Sequence, residues 1–159
     1  MSILLRTIEF LGLGLWLGSD VFLSFVVAAG AFRILASRDQ AGAMVGFGLW
    51  WMHMIGVACG LAILLARVLR TRAFSSLPAP AALCVVLMIG LTVVSQHAVS
   101  PKMAVLRTQM GSIQATAAES LLLAEFNKLH RISVSLESGV LVAGLTAMYL
   151  MAKELGAGR

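Results

Sequence analysis

Charge is scarce in this chain of 159 residues. Only 12% are Asp, Glu, Lys or Arg and 60% are hydrophobic, against roughly 25% and 45–50% in soluble domains. That balance excludes an ordinary water-solvated surface and predicts a membrane protein. Cysteine is limited to Cys59 and Cys84, both inside apolar runs. With no CxxC and no partner spacing for zinc, they read as buried free thiols and exclude a disulfide framework. Proline occurs only three times, at Pro78, Pro80 and Pro101. No HExxH, no nucleophile beside a base and no phosphate-binding glycine loop is present, so the chain is read as not an enzyme. Cations outnumber anions by twelve to seven, yet they are scattered over loops and helix ends. Membrane topology and anionic lipid account for them without nucleic acid.

What is present is four long apolar runs. A bilayer span needs about 20 mostly apolar residues, and the runs at about 7–35, 43–69, 79–99 and 124–152 each supply them. The predicted fold is all-α: a four-transmembrane-helix bundle, one integral membrane domain over residues 1–159. The SRDQ run at residues 37–40 should end the first helix, and SSLPAP at 75–80 signals a turn. The third helix should stop before Pro101. Residues 102–125, which carry Arg107, Gln109, Gln114, Glu119 and Glu125, read as an amphipathic helix outside the hydrocarbon between helices three and four. The apolar N-terminal region is too long for a signal peptide and reads as an uncleaved helix. Trp50 and Trp51 fall several residues inside the second span, which predicts that at least one packs within the bundle.

An even number of spans places both termini on one side. Arg67, Arg70 and Arg72 cluster there, which favours the cytoplasmic face of a bacterial inner membrane, against Arg33, Arg38, Lys102, Arg107, Lys128 and Arg131 on the other face. Gly14/Gly18 and Gly56/Gly60 have GxxxG spacing. They permit close helix approach either inside one bundle or between protomers of a homo-oligomer.

The costly residues are the polar ones at depth. An ionisable side chain in hydrocarbon costs about 2.5–3.5 kcal/mol on insertion scales, so those that persist face the interior and have partners. By helical rise Asp20, His53 and Glu137 share a layer near the midplane, while His97 and His130 form a second layer nearer the polar connection. On the last helix Phe126, His130, Ser133 and Glu137 fall on one stripe, and Ser135, Gly139, Ala143 and Ala147 on roughly the opposite one. Two readings of the acids stand side by side: a proton-coupled pathway, or hydrogen bonds to Ser19, Ser24, Ser133 or Ser138 that fix helix register. Met52-His53-Met54 has ligand types suited to a soft ion such as Cu(I). On a helix, however, neighbours two apart point about 200° from one another, so the two methionines do not grip one ion with His53. Haem held by two of His53, His97 and His130 on facing helices is the other histidine chemistry.

Four stretches together resemble the transmembrane protein 205-like family of bacterial membrane proteins. They are GLWLGSDVFLSFVVAAGAFRIL (residues 14–35), the run through His53 and Cys59, Ser100-Pro101-Lys102 followed by Arg107, and Phe126, Leu129, His130 and Ser133. The chain departs from that pattern at Phe47-Gly48, where the family often has Phe-Pro, and at Glu137, where it often has asparagine. The resemblance implies a four-helix integral membrane protein. Its eukaryotic branch is associated with platinum-drug resistance and vesicular traffic, and no molecular activity is agreed for it.

The residues thus point to a non-enzymatic protein in contact with the lipid bilayer that handles, or helps export, a small solute or soft metal ion. Its polar core is predicted as Asp20, His53, His130, Ser133 and Glu137, with Gln96 and His97 at the rim. A haem or redox module and a non-catalytic scaffold or assembly factor are the alternatives.

Overall fold

The computed structural model describes residues 2–72 and 79–157. All regular structure among them is helical. Helix α1 (Ser2–Val21) passes through a π-helical turn, Phe22–Val27, into α2 (Ala28–Ile34). Helix α3 is Arg38–Thr71; α4 (Pro80–Val94) passes through a second π-helical turn, Ser95–Val99, into α5 (Ser100–Met110); α6 is Leu121–Ala157. Four helical stretches are long and apolar enough to cross a bilayer: Ile3–Ile34, Arg38–Thr71, Pro80–Met110 and Leu121–Gly156. The fold is an all-α bundle of four membrane-type helices.

Several local expectations change. SRDQ does not simply end the first helix. Leu35 turns to extended backbone, the Ser37 hydroxyl accepts from the Gln40 N–H at 3.2 Å, and Arg38, Asp39 and Gln40 become the first turn of α3. A serine N-cap with an acid in the first turn offsets the unpaired amides of a helix start. The turn expected at 75–80 lies mostly outside the described residues.

The third helix does not stop at Pro101. Proline lacks an N–H, but it sits in the first turn of α5 directly after the wider π turn, where the loss is tolerated. The Ser95 carbonyl there accepts from both the Ser100 N–H and the Ser100 hydroxyl, the latter at 3.0 Å. The amphipathic helix expected over 102–125 is therefore corrected. Its first part, to Met110, continues the third span, and Gly111, at φ 68°, ends that helix. Residues 111–120 are a connection without helix. Trp50 and Trp51 also differ: both are about half exposed and pack edge to face on each other, with ring centroids 4.8 Å apart. The tryptophan inside the bundle is Trp16.

Helix α1 packs on α3 and α6, and α4 packs on α3 and α6. The four helices form a closed ring in which α1 faces α4, and α3 faces α6, across the bundle axis. The apolar core is Leu13, Trp16, Leu17, Ile63, Ala81, Val85, Met88, Val140, Ala143, Ala147 and Met151. Gly56 and Gly60 receive the Trp16 indole, and Gly144 receives Leu17, whereas Gly14 and Gly18 have nothing within 4 Å. One GxxxG pair therefore serves packing inside the bundle, and the other lies on its outer face.

Ion pairs mark one end of the ring. Arg70 Nε donates to Glu9 Oε1 at 2.8 Å and Arg70 Nη2 to Glu9 Oε2 at 3.2 Å; Arg67 Nη2 donates to Glu154 Oε1 at 2.7 Å. At the other end Asp39 accepts from the Ser112 hydroxyl at 2.6 Å and the Ile113 N–H at 2.8 Å, tying the 111–120 connection to α3. The Arg107 guanidinium lies there over the Phe126 ring, 5.8 Å from its centroid. Asp39→Ala removes two charge-assisted bonds that hold the connection to α3. It should speed proteolysis or amide exchange within 111–120 while leaving the far end of the bundle unchanged.

Candidate functional site

The inward lines of the helices deliver polar groups to one level. On α1 the spacing Leu13, Trp16/Leu17, Asp20 keeps one face inward, and on α3 His53, Gly56, Gly60, Ile63 do the same. On α4 the line is Val85, Met88, Thr92, Ser95, and on α6 it passes through Ser133, Glu137 and Val140. His53 is 14 positions from Asp39 and 14 from Arg67, or about 21 Å from each charged end at 1.5 Å per residue. With hydrocarbon about 30 Å thick, this level is the middle of the membrane.

His53 is fully buried. Its Nε2 lies 2.8 Å from Glu137 Oε1, and its Nδ1 lies 2.8 Å from Gln96 Oε1. The bond from His53 to Glu137 therefore joins diagonal helices through the bundle axis. The Ser95 hydroxyl donates to the same Glu137 Oε1 at 3.0 Å. Asp20, 2% exposed, accepts from the Ser24 hydroxyl at 3.2 Å and stands within electrostatic range of both Glu137 and His53. Among the described residues Asp20 Oδ2, Glu137 Oε2 and Thr92 Oγ1 are buried without a hydrogen-bond partner.

Both π turns border this layer. Ser24 belongs to the first, Ser95 and Gln96 to the second. A π turn inserts an extra residue into the helical register and re-aims the side chains that follow, which is why such turns recur at functional sites.

Gln96 determines what the pair can do. With its amide oxygen toward Nδ1, a proton on each ring nitrogen satisfies both partners. With the amide turned over, its NH2 donates to a bare Nδ1. The cluster holds imidazole or imidazolium without losing a hydrogen bond.

Of the residues singled out in the sequence, Asp20, His53 and Glu137 come together, and Gln96, expected at the rim, bonds His53 directly. Ser133 is buried one turn before Glu137, while His97 and His130 are exposed and lie outside this cluster. Ser95 and Thr92 went unnoticed. Their signal was a pair of hydroxyls three apart in the otherwise apolar TVVS, next to Gln96. Of the serines proposed as partners for the acids, only Ser24 has that role: Ser19 and Ser138 donate to the carbonyls of Trp16 and Val134.

Three chemistries can be weighed on this geometry. A hydrolase triad requires serine to donate to histidine; here Ser95 donates to the glutamate. Among the described residues no three His, Cys, Asp or Glu side chains converge to hold one metal ion. Haem ligation by a pair that includes His53 requires a free ring nitrogen there, and both of its nitrogens are engaged.

The fold and site define a four-helix membrane protein with an acid–imidazole–acid cluster at mid-depth. Residues 11–112 match the family described as a domain of unknown function (DUF4149). The match covers more than half of the chain, which belongs to that family. No curated protein and no solved structure matches it.

Proposed function

We propose that this protein is a non-enzymatic membrane protein that handles a small solute, with protonation of the Asp20–His53–Glu137 cluster as the coupled event. The observation that carries this reading is the His53 arrangement, whose glutamate and reversible glutamine partners serve either protonation state at no cost in hydrogen bonds. Two carboxylates and an imidazole share one low-dielectric site, so the charge of each depends on the others. A net-neutral cluster holds two protons among three groups, and gain or loss of one changes its charge and the attraction between diagonal helices. Solute handling is favoured over metal handling because the described acids and histidine do not converge as ligands.

Within the matched family, we assign the chain to the transmembrane protein 205-like group on the four stretches quoted above. The arginines at 67, 70 and 72 support termini on the cytoplasmic side of a bacterial inner membrane.

Glu137→Gln tests the reading, because an amide keeps an oxygen for His53 and Ser95 but carries no exchangeable acid. The variant should accumulate and unfold like the parent. A pH-induced infrared difference spectrum of the lipid-reconstituted parent should show carboxyl and imidazole bands, and the Glu137→Gln spectrum should lose a carboxyl band. A Glu137→Gln spectrum with the same carboxyl bands as the parent would sink the proton reading and leave the cluster as a packing device.

A further inference from the structure

We infer that the cluster exchanges protons and water with one side of the membrane only, the side that carries the 111–120 connection, through a path bordered by Ser133 and Ser100. This rests on the reading of Asp20, His53 and Glu137 as a protonation centre and adds the direction from which it is reached.

The asymmetry is visible on every helix. All eleven residues of the contiguous apolar cluster lie on the Arg67–Glu154 side: before Asp20 on α1, after His53 on α3, before Ser95 on α4 and after Glu137 on α6; the buried apolar residues toward the connection, Leu23, Ala31, Ala41, Met52, Val99, Leu106 and Phe126, stand outside that cluster. The largest side chains with less than 2% exposure are Trp16, Leu13, Met88, His53, Val85, Val140, Thr92, Asp20 and Ser95. Each stands at the level of the cluster or on that same side. The seal is tight because Trp16 fills the notch of Gly56 and Gly60, and Leu17 that of Gly144. Close packing of this kind leaves no room for water.

Toward the connection the inward face of α6 loosens. Along α6, positions seven apart share one face: Phe126 and Ser133 are each 8% exposed, and Val140 and Ala147 are 0%. On the neighbouring inward line His130 is exposed, whereas Glu137 is half-buried and Gly144 buried. His130, seven residues before Glu137, is thus open where the next two positions of that line are covered. On this side the polar groups nearest the cluster are Ser24, Gln96, Ser100 and Ser133, and Arg107 beyond them is within electrostatic range of Asp39. Hydroxyl and amide groups spaced along a helix can pass hydrogen bonds to water; the aliphatic core cannot.

Sided cysteine labelling of the full chain tests this, in a background with Cys59→Ala and Cys84→Ala. Ala117→Cys reports the connection side and Lys153→Cys the opposite side, both positions being exposed. The probe is 2-(trimethylammonium)ethyl methanethiosulfonate, whose permanent charge keeps it on the face of the oriented vesicles to which it is added. Ser133→Cys, and independently Ser100→Cys, should react from the side that labels Ala117→Cys and not from the side that labels Lys153→Cys. Val140→Cys should react from neither. Labelling of Ser133→Cys or Val140→Cys from the Lys153 side, or no labelling of Ser133→Cys and Ser100→Cys from the connection side, would overturn the inference. The infrared test of protonation is a separate readout, so a sealed cluster that still titrates and an open path to a silent cluster are told apart.

Discussion

His53→Ala should destabilise the bundle by about 2–5 kcal/mol, the combined cost of a core cavity and of buried polar groups left without hydrogen-bond partners. The substitution leaves Glu137 Oε1 with only the Ser95 hydroxyl, leaves the Gln96 amide without its partner, and opens a cavity at a position of 0% exposure. The loss should appear as a lower midpoint for thermal unfolding in detergent. Replacing both ends of the diagonal bond, as His53→Leu with Glu137→Leu, should recover much of that stability, because a packed apolar pair avoids desolvation altogether. It should also remove the imidazole band of His53 and the carboxyl band of Glu137 from the infrared difference spectrum, with Asp20 left as the acid of the site. If His53→Ala and the double variant were equally unstable, packing volume and not charge pairing would be the source of the effect.

Gly56→Ala should cost about 1–3 kcal/mol, the usual range for overpacking a filled core. A Cβ at position 56 would meet the Trp16 indole, 2.5 Å from Cε2 and 2.9 Å from Cδ1 and nearer still to Nε1. The same change at Gly14, with nothing within 4 Å, should be neutral or gain up to about 1 kcal/mol from helix propensity. Trp16→Phe should relieve part of the Gly56→Ala penalty, and a double-mutant cycle measured by thermal unfolding gives the coupling. Equal effects at Gly14 and Gly56 would contradict the wedge.

Much of the fold was legible because hydrophobic run length is a one-dimensional property. The four apolar stretches predicted the four membrane-type helices, each to within a few residues at most ends. The third was the exception, because Pro101 reads as a stop in sequence whereas the π turn at Ser95–Val99 absorbs it. That turn depends on where hydrogen bonds are redistributed, which no local pattern announces. Trp50 and Trp51 misled for a related reason, since depth along a helix does not say which way a side chain faces the ring.

For the site, helical rise by itself placed Asp20, His53 and Glu137 at one depth, and the cost of burying ionisable groups marked them as inward-facing. Depth was not sufficient for His97 and His130, which are exposed. Only the tertiary arrangement decided that α3 and α6 are diagonal, that Gln96 and Ser95 complete the cluster, and that the contiguous apolar cluster lies on one side of it. The physical reason is that composition and periodicity fix which residues leave water and how deep they lie, whereas partner choice depends on the rotation of each helix about its axis, set by contacts such as Trp16 against Gly56 that join residues far apart in the chain.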